Sequence, residues 1–272
     1  MTVAVEHSTR SGMLPSRRFI RGFVGFTVLF LIGEAFTRAQ IVNPLFLPPL
    51  SEVLASAVGL TVNPMFLVDV AATLEAALVG LVLATVIAVP LGILLGSSQK
   101  TFVATRALVE FLRPIPSVAL IPVAILLFGQ HLEMKVFLVV FATSWPLLFN
   151  TIYGVHDVDP IAKDTARIYG YSKLRILAKV SLPSAAPFIY TGIRFGVSIA
   201  LIVTISAELL AAAGEGIGTY ILVMGQSGRG YDLVFAATII TGLIGWLFNW
   251  LLERGERRFF RWNPQIRAQE ES

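Results

Sequence analysis

Few side chains in this sequence are of the types that catalyse reactions, and they are scattered. The 272 residues include no cysteine, and the three histidines are His7, His131 and His156. The sequence contains no His-Glu-x-x-His zinc motif, no Gly-x-Ser-x-Gly nucleophile turn and no Gly-Lys dipeptide of a phosphate-binding P-loop. We therefore expect a protein that is not an enzyme, with no catalytic residue, no metal and no cofactor of its own.

Two ionisable residues lie inside long apolar stretches. Glu208 interrupts one such stretch, and a carboxylate at membrane depth is unfavourable unless it is paired or hydrated. It therefore either lines a pathway or makes a structural hydrogen bond to a neighbouring helix, and we favour the structural role. Arg194, earlier in the same stretch, either extends its guanidinium to an aqueous face, which we favour, or contacts an anion.

The most patterned polar segment is the stretch 158–187. Asp159 followed by Pro160 is typical of a helix start, and Gly170 stands where a helix ends in a left-handed residue. Ser172 can cap a second short helix that runs to Leu182, and Pro183 then interrupts that helix or begins a new one. The sequence predicts two short helices joined by a glycine bend.

Helical spacing places the apolar side chains of the first of these helices on one face: Ile161, Thr165, Ile168 and Tyr169. An apolar stripe must be buried against something. Two alternatives stay open from the residues alone. The helix lies on a lipid surface, or it docks into a groove of a partner protein.

The elements that must position these residues are membrane helices. Hydrophobic residues make up 56% of the chain and charged residues only 14%, whereas a soluble domain has about a quarter. Apolar runs of about 20 residues cross the hydrocarbon core, and their backbone polar groups must be paired within helices. We predict six spans: 19–37, 73–96, 107–128, 135–155, 186–212 and 233–252.

The basic residues predict the orientation of these spans. Sixteen Lys and Arg residues fall at the two ends and in alternate loops, against three in the opposite loops. Cytoplasmic loops carry the excess, so both termini and the loop 156–185 are expected in the cytoplasm. The net charge of +4 then reflects topology, and no nucleic-acid partner is expected.

This topology divides the chain into three parts. Residues 1–18 and 253–272 are predicted as cytoplasmic tails on either side of a six-helix domain, 19–252. In the long external loop, Ser51 is predicted to cap a short helix from Glu52 to about Leu60.

The polar loop resembles the "EAA" loop of bacterial ABC-importer permeases. Its matching residues are Asp164, Thr165, Ala166, Gly170, Val180, Leu182 and Pro183. Asp replaces the family's Glu and Thr replaces its first Ala, changes that keep the charge and the small size. The resemblance implies an all-α, type I importer permease whose coupling helices dock into a separate ATPase through Asp164, Thr165, Ala166, Gly170, Leu182 and Pro183.

Further segments resemble the nitrate/sulfonate/taurine branch of that family. They are Leu112 to Ser117, Leu47 to Leu54, and the pair Ala207 and Glu208. The resemblance implies a pathway for a small anion, and the pathway or gate candidates are Arg113, Pro114, Pro116, Ser117 and Glu208.

The same resemblance implies an assembly in a bacterial inner membrane. Its partners are two ATPase subunits that bind ATP, a second permease copy and an extracytoplasmic solute-binding protein. Import of another small molecule, such as a vitamin precursor, is the main alternative. An ion-coupled carrier or a channel is less favoured, because a carrier usually has more buried ionisable residues or interrupted paired helices.

Overall fold

The computed structural model describes residues 17–260, except 113, 213 and 229. The predicted tail residues 1–16 and 261–272, and the candidate Arg113, therefore lie outside the described residues. The α-helices are, in chain order, α1 (Arg17–Arg38), α2 (Leu50–Leu60), α3 (Pro64–Gly96), α4 (Gln99–Leu112), α5 (Ile121–Phe128), α6 (Leu132–His156), α7 (Pro160–Ile168), α8 (Lys173–Ile176), α9 (Leu182–Ala211), α10 (Ile217–Ser227) and α11 (Tyr231–Phe259).

Four helical runs within the described ranges are long and apolar enough to cross a membrane. They are α3, α6, the unbroken run Lys173–Ala211 that ends with α9, and α11. Helix α1 forms where the first span was predicted, but it is not among the four, and it includes Arg17, Arg18 and Glu34. The all-helical membrane architecture is confirmed, whereas the count of six spans is not.

The predicted third span, 107–128, is wrong as one continuous helix. Helix α4 ends at Leu112, and the chain continues through Pro114 and Pro116 into a 3₁₀ turn, Ser117–Leu120, before α5 begins. Proline removes a backbone donor and disfavours a helical residue before it, so two prolines in three residues end the helix. The described residues between α4 and α5 therefore include a stretch of non-helical backbone.

Helix α3 begins earlier than the predicted residue 73. The Asn63 side chain accepts hydrogen bonds from the backbone N–H groups of Met65 and Phe66, at 3.0 and 3.3 Å, and Pro64 is the first helical residue. This capped start extends the helix beyond its apolar run, since caps satisfy the free N–H groups of the first turn.

Helices α3, α6 and α9 form the core, and small residues let them approach closely. A side chain added at Gly92 would lie 2.6 Å from Cβ of Thr151, and one at Gly96 would lie 2.8 Å from the carbonyl oxygen of Ile152. Gly196 of α9 similarly faces Leu81 of α3. These glycine pairs therefore serve packing within one chain, which is how small residues stabilise helix contacts in membranes.

The predicted fifth span, 186–212, is part of a much longer helical run. Helix α8 continues through a π-helical turn, Leu177–Ser181, directly into α9, so Pro183 does not interrupt the run. Proline is tolerated in a first helical turn, where its missing N–H has no partner to lose. The run of 39 residues thus joins the cytoplasmic loop of the predicted topology to the opposite end of the bundle.

The prediction that Ser51 caps the external helix is wrong. Helix α2 begins at Leu50 after Pro49, and no side chain caps it. Ser51 instead donates from its hydroxyl and its backbone N–H to the carboxylate of Glu34, at 2.7 and 3.0 Å. Glu34 thereby ties the end of α1 to the start of α2.

Helix α10 is an element that sequence patterning did not predict. Glycines with positive φ, Gly216 and Gly228, lie at its two ends. It packs between α9, α11 and α3, and buries Ile217 in a small second core with Val53 and Leu60 of α2. Helix α11 continues to Phe259, beyond the predicted end at residue 252.

Candidate coupling surface and pathway

The polar loop 156–185 has the predicted local structure. The Asp159 carboxylate accepts from the N–H of Ile161 at 2.8 Å, and the Ser172 hydroxyl oxygen accepts from the N–H of Arg175 at 3.4 Å. Gly170 adopts φ +76°, in the left-handed region that glycine occupies without steric cost. The two helices and the glycine bend are confirmed, although α8 proper ends at Ile176.

These two helices present an apolar surface that nothing in the described chain covers. We call the exposed side chains Ile161, Thr165, Ile168, Tyr169 and Leu174 the coupling surface. Ile168 is 86% exposed and Leu174 is 78% exposed. A short helix that leaves such residues exposed requires a partner or a lipid surface.

The remaining residues of the EAA-like pattern hold this surface in place. Ala166 is buried, and its carbonyl oxygen accepts from the N–H of Tyr171 at 3.0 Å across the glycine bend. Asp164 is exposed and forms an ion pair with Arg167. Leu182 and Pro183 begin α9, half-buried and exposed respectively, so the pattern spans the joint between the loop and the long helix.

The pathway candidates Pro114, Pro116 and Ser117 line one cavity of about 650 Å³. The broken segment faces α6 and α9 across it. The other lining residues are Ile115, Ala142, Trp145, Pro146, Phe149, Asn150, Phe195 and Ile199. None of the described lining residues is acidic or basic, and those with polar side chains are Ser117, Asn150 and Trp145. The Asn150 amide donates to the carbonyl oxygen of Pro146 at 2.8 Å, and the indole nitrogen of Trp145 is buried.

Glu208, the fifth pathway candidate, does not line this cavity. It is fully buried near the end of α9, and Nζ of Lys135 lies 2.9 Å from its Oε1. The Thr73 hydroxyl donates to the carboxylate at 2.9–3.0 Å, and the backbone N–H of Gly218 donates at 2.9 Å. A buried charge is tolerated when it is paired and hydrogen-bonded in this way.

The same cluster fixes the turn that leads into α10. Lys135 also donates to the carbonyl oxygen of Glu215 at 2.7 Å, and the N–H of Ile217 donates to the Thr73 hydroxyl at 2.9 Å. Asp69 accepts from the N–H of Gly216 at 2.8 Å. We call Thr73, Lys135, Glu208 and Gly218 the buried ion-pair cluster; it joins α3, α6, α9 and α10.

Sequence reasoning missed the partner in this cluster. The charge pattern places Lys135 among the three basic residues of the loops opposite the cytoplasmic ones, but Lys135 lies in the first turn of α6 and is 4% exposed. Two features of the sequence could have indicated the pair. Lys135 stands at the start of an apolar run, and Glu208 stands inside another apolar run with no basic residue near it in the sequence. Pairing the two requires the tertiary structure.

Sequence patterning did not predict the partners of Arg194, and the extension of its 31% exposed side chain to an aqueous face stays a prediction. Its guanidinium binds three side chains of α11: Asn249 at 2.8 Å, Glu256 at 3.1 Å and Glu253 at 3.4 Å. Next to it, the Tyr190 hydroxyl donates to the carbonyl oxygen of Leu252 at 2.7 Å. Arg194 therefore joins the two long helices, because α11 extends about two turns beyond the predicted end of the span and supplies the carboxylates.

Comparison with known proteins identifies the architecture. The chain is 28% identical to the taurine transport system permease protein TauC of Escherichia coli, over 98% of this chain and 100% of that protein. It is 31% identical to the nitrate import permease protein NrtB of Leptolyngbya laminosa, over 68% of this chain and 65% of that one.

The fold resembles that of solved importers. The inward-facing MetNI methionine ABC transporter superposes with a TM-score of 0.63 at 18% identity, covering 71% of this chain and 95% of that chain. A family model described as the binding-protein-dependent transport system inner membrane component matches residues 88–261, a range that contains the coupling surface, the cavity and most of the buried ion-pair cluster. The chain belongs to this family of binding-protein-dependent permeases.

Proposed function

We propose that this chain forms the translocation pathway of an ATP-driven importer for a small anion such as a sulfonate, taurine or nitrate. The observation that carries the proposal is the coupling surface, which is exposed and apolar, and whose α8 residue, Leu174, lies in the run Lys173–Ala211 that continues into α9. Membership of the permease family and the resemblance to a taurine permease support the same function.

The ATPase is a separate subunit in this proposal. A helical surface of Ile168, Tyr169 and Leu174 suits the apolar groove of a partner protein, in the helix-in-groove mode. Two ATPase copies bind ATP, and this chain binds no cofactor. Closure of the ATPase pair moves the coupling surface, and the 39-residue run transmits that movement through the bundle because it has no non-helical break.

The cavity suits the passage of an anion. The described residues of its lining include neutral polar side chains and no carboxylate, so none of them repels negative charge. Neutral hydrogen-bond donors also bind an anion more weakly than a fixed cation would, and weaker binding favours release of the anion from the cavity. Glu208 does not oppose this role, because Lys135 compensates its charge away from the cavity.

The proposed assembly pairs two copies of this chain in a bacterial inner membrane, with both termini in the cytoplasm. The excess of basic residues in one set of loops supports this orientation. An extracytoplasmic binding protein delivers the substrate to the opposite face, which carries α2, α10 and the turn held by the buried ion-pair cluster.

A second substrate class is supported by the aromatic lining of the cavity. Trp145, Phe149 and Phe195 offer faces on which a planar ring can stack. An organic molecule with such a ring, for example a vitamin precursor, is therefore the alternative cargo. A channel or an ion-coupled carrier is less favoured, since neither would need the exposed coupling surface.

Filling the cavity tests the pathway. We expect Ala142→Trp to reduce uptake at least tenfold, because an indole added to the wall narrows the cavity at the broken segment. About 1.4 kcal/mol of added barrier suffices for that factor. Uptake of labelled taurine, nitrate and a vitamin precursor with a planar ring is measured in cells that lack their own importers.

Ala142→Ser is the control and should transport normally, and both variants should still co-purify with the ATPase. Normal uptake by Ala142→Trp would mean that the pathway lies elsewhere. Uptake of the vitamin precursor alone by the unmodified chain would overturn the anion assignment while keeping the importer.

A further inference from the structure

We propose that the end of α11 binds the headgroup of an anionic phospholipid through Arg254 and Arg258, with Trp250 as a platform. The guanidinium carbon of Arg254 lies 4.2 Å from the centroid of the Trp250 ring, which is within cation–π distance. The Trp250 ring is itself stacked on Trp246 at 6.3 Å. The three side chains recur every fourth residue and so form one ladder along the helix.

This ladder lies on a face of α11 that the described chain does not cover. Trp246 is 63% exposed, and the neighbouring Leu243, Leu247 and Leu251 are also exposed. Helix α11 packs through its other side on α2, α9 and α10. Of the four candidate spans, α11 has the smallest buried share. Acyl chains are the apolar surroundings that such a face meets in a membrane.

The cations stand at the depth of the headgroups. Arg254 lies about 35 Å along the helix axis from Tyr231, the first residue of α11. This distance is slightly more than the thickness of the hydrocarbon core, about 30 Å. Tryptophan is enriched at the same level, where its ring meets the headgroups. Under the orientation proposed above, this end of the helix lies in the inner leaflet.

Charge selects an anionic lipid as the occupant. Within the part of the chain that the structure describes, neither Arg254 nor Arg258 forms an ion pair. The nearby acids face other partners: Glu256 binds Arg194, and Glu253 binds Arg194 and Arg257. A symmetric dimer contact through this same face would bring two cationic ends together, so a lipid phosphate fits the face better than a second copy does.

Native mass spectrometry of the purified chain in micelles with equal phosphatidylglycerol and phosphatidylcholine tests this site. We expect selective retention of phosphatidylglycerol, falling about fivefold in Arg254→Gln and further in Arg254→Gln with Arg258→Gln, since each interfacial cation contributes about that factor. Trp250→Leu should also lower retention, because it removes the ring beneath Arg254.

Arg257→Gln is the matched control, because it removes the same charge within one helical turn of Arg254. The Arg257 guanidinium is already bound by Glu253, at 2.6 Å. The control should change retention less than twofold. The proposal is overturned if the unmodified chain shows no preference for phosphatidylglycerol, or if Arg257→Gln lowers retention as much as Arg254→Gln. The assay needs no ATPase or substrate, so its result is independent of the transport proposal.

Discussion

Replacing Glu208 with alanine is expected to destabilise the chain by about 3–5 kcal/mol, the usual effect of removing one partner of a buried ion pair. Lys135 would be left 4% exposed and unpaired, and the N–H of Gly218 would lose its acceptor. The free energy of unfolding is measured in mixed micelles by titration with a denaturing detergent. A loss of less than about 1 kcal/mol, the value for an exposed ion pair, would contradict the structural role of the cluster.

The matched control for this prediction is the double variant Lys135→Met with Glu208→Gln. It removes both charges but keeps an acceptor near Gly218 and Thr73, and replacing a buried pair by neutral residues is often tolerated. We expect it to be more stable than Glu208→Ala. If it were less stable, with the single effects simply adding, the two side chains would not be coupled.

Gly170→Val is expected to uncouple ATP hydrolysis from transport. At φ +76° a β-branched residue is strained, and the bend between α7 and α8 would shift, carrying Ile168 and Tyr169 with it. A left-handed residue other than glycine costs about 1–2 kcal/mol, so the native bend becomes roughly 5–30 times less populated. Uptake per ATP hydrolysed should fall by a similar factor in proteoliposomes, while the protein remains in the membrane.

Gly170→Asn provides the control for the backbone effect, because asparagine tolerates the left-handed region better than valine does. A Cβ atom added at Gly170 would have no neighbouring atom within 4 Å, so a larger side chain there creates no steric clash at its Cβ. We expect the asparagine variant to retain most coupling. Full transport by Gly170→Val would show that the bend has no part in coupling.

Local signals made the coupling loop predictable from sequence. The caps at Asp159 and Ser172 and the left-handed Gly170 act within three or four residues of themselves, so their pattern determines the helix ends without tertiary information. The long apolar runs were predictable for the same reason, since length and composition alone indicate a span.

The features that depend on tertiary contacts were not predictable. Apolar composition around Pro114 and Pro116 outweighed the two prolines in the prediction, although their lost N–H groups end the helix. The Lys135–Glu208 pair joins residues 73 positions apart. The sequence around either residue does not show that the other is its partner. Helix α10 is too short to be predicted as a span, and its boundaries are set by Gly216 and Gly228.

The exposed coupling surface also allows a sharper test than removal of the loop. Deleting residues 160–182 would remove the start of the run Lys173–Ala211, and could unfold α9 with it. A single charge on the surface leaves the helices intact. Ile168→Asp changes a side chain that is 86% exposed, so its effect on folding should be small.

The most direct test of the proposed importer is affinity purification of the tagged chain from membranes of its host in mild detergent. We predict that the unmodified chain and the control Val62→Asp, altered at a residue between α2 and α3 that is 75% exposed, capture a subunit containing a P-loop ATPase. Ile168→Asp should lose that subunit while remaining folded. Capture of the ATPase by none of the three folded proteins, or equally by all three, would contradict docking through the coupling surface.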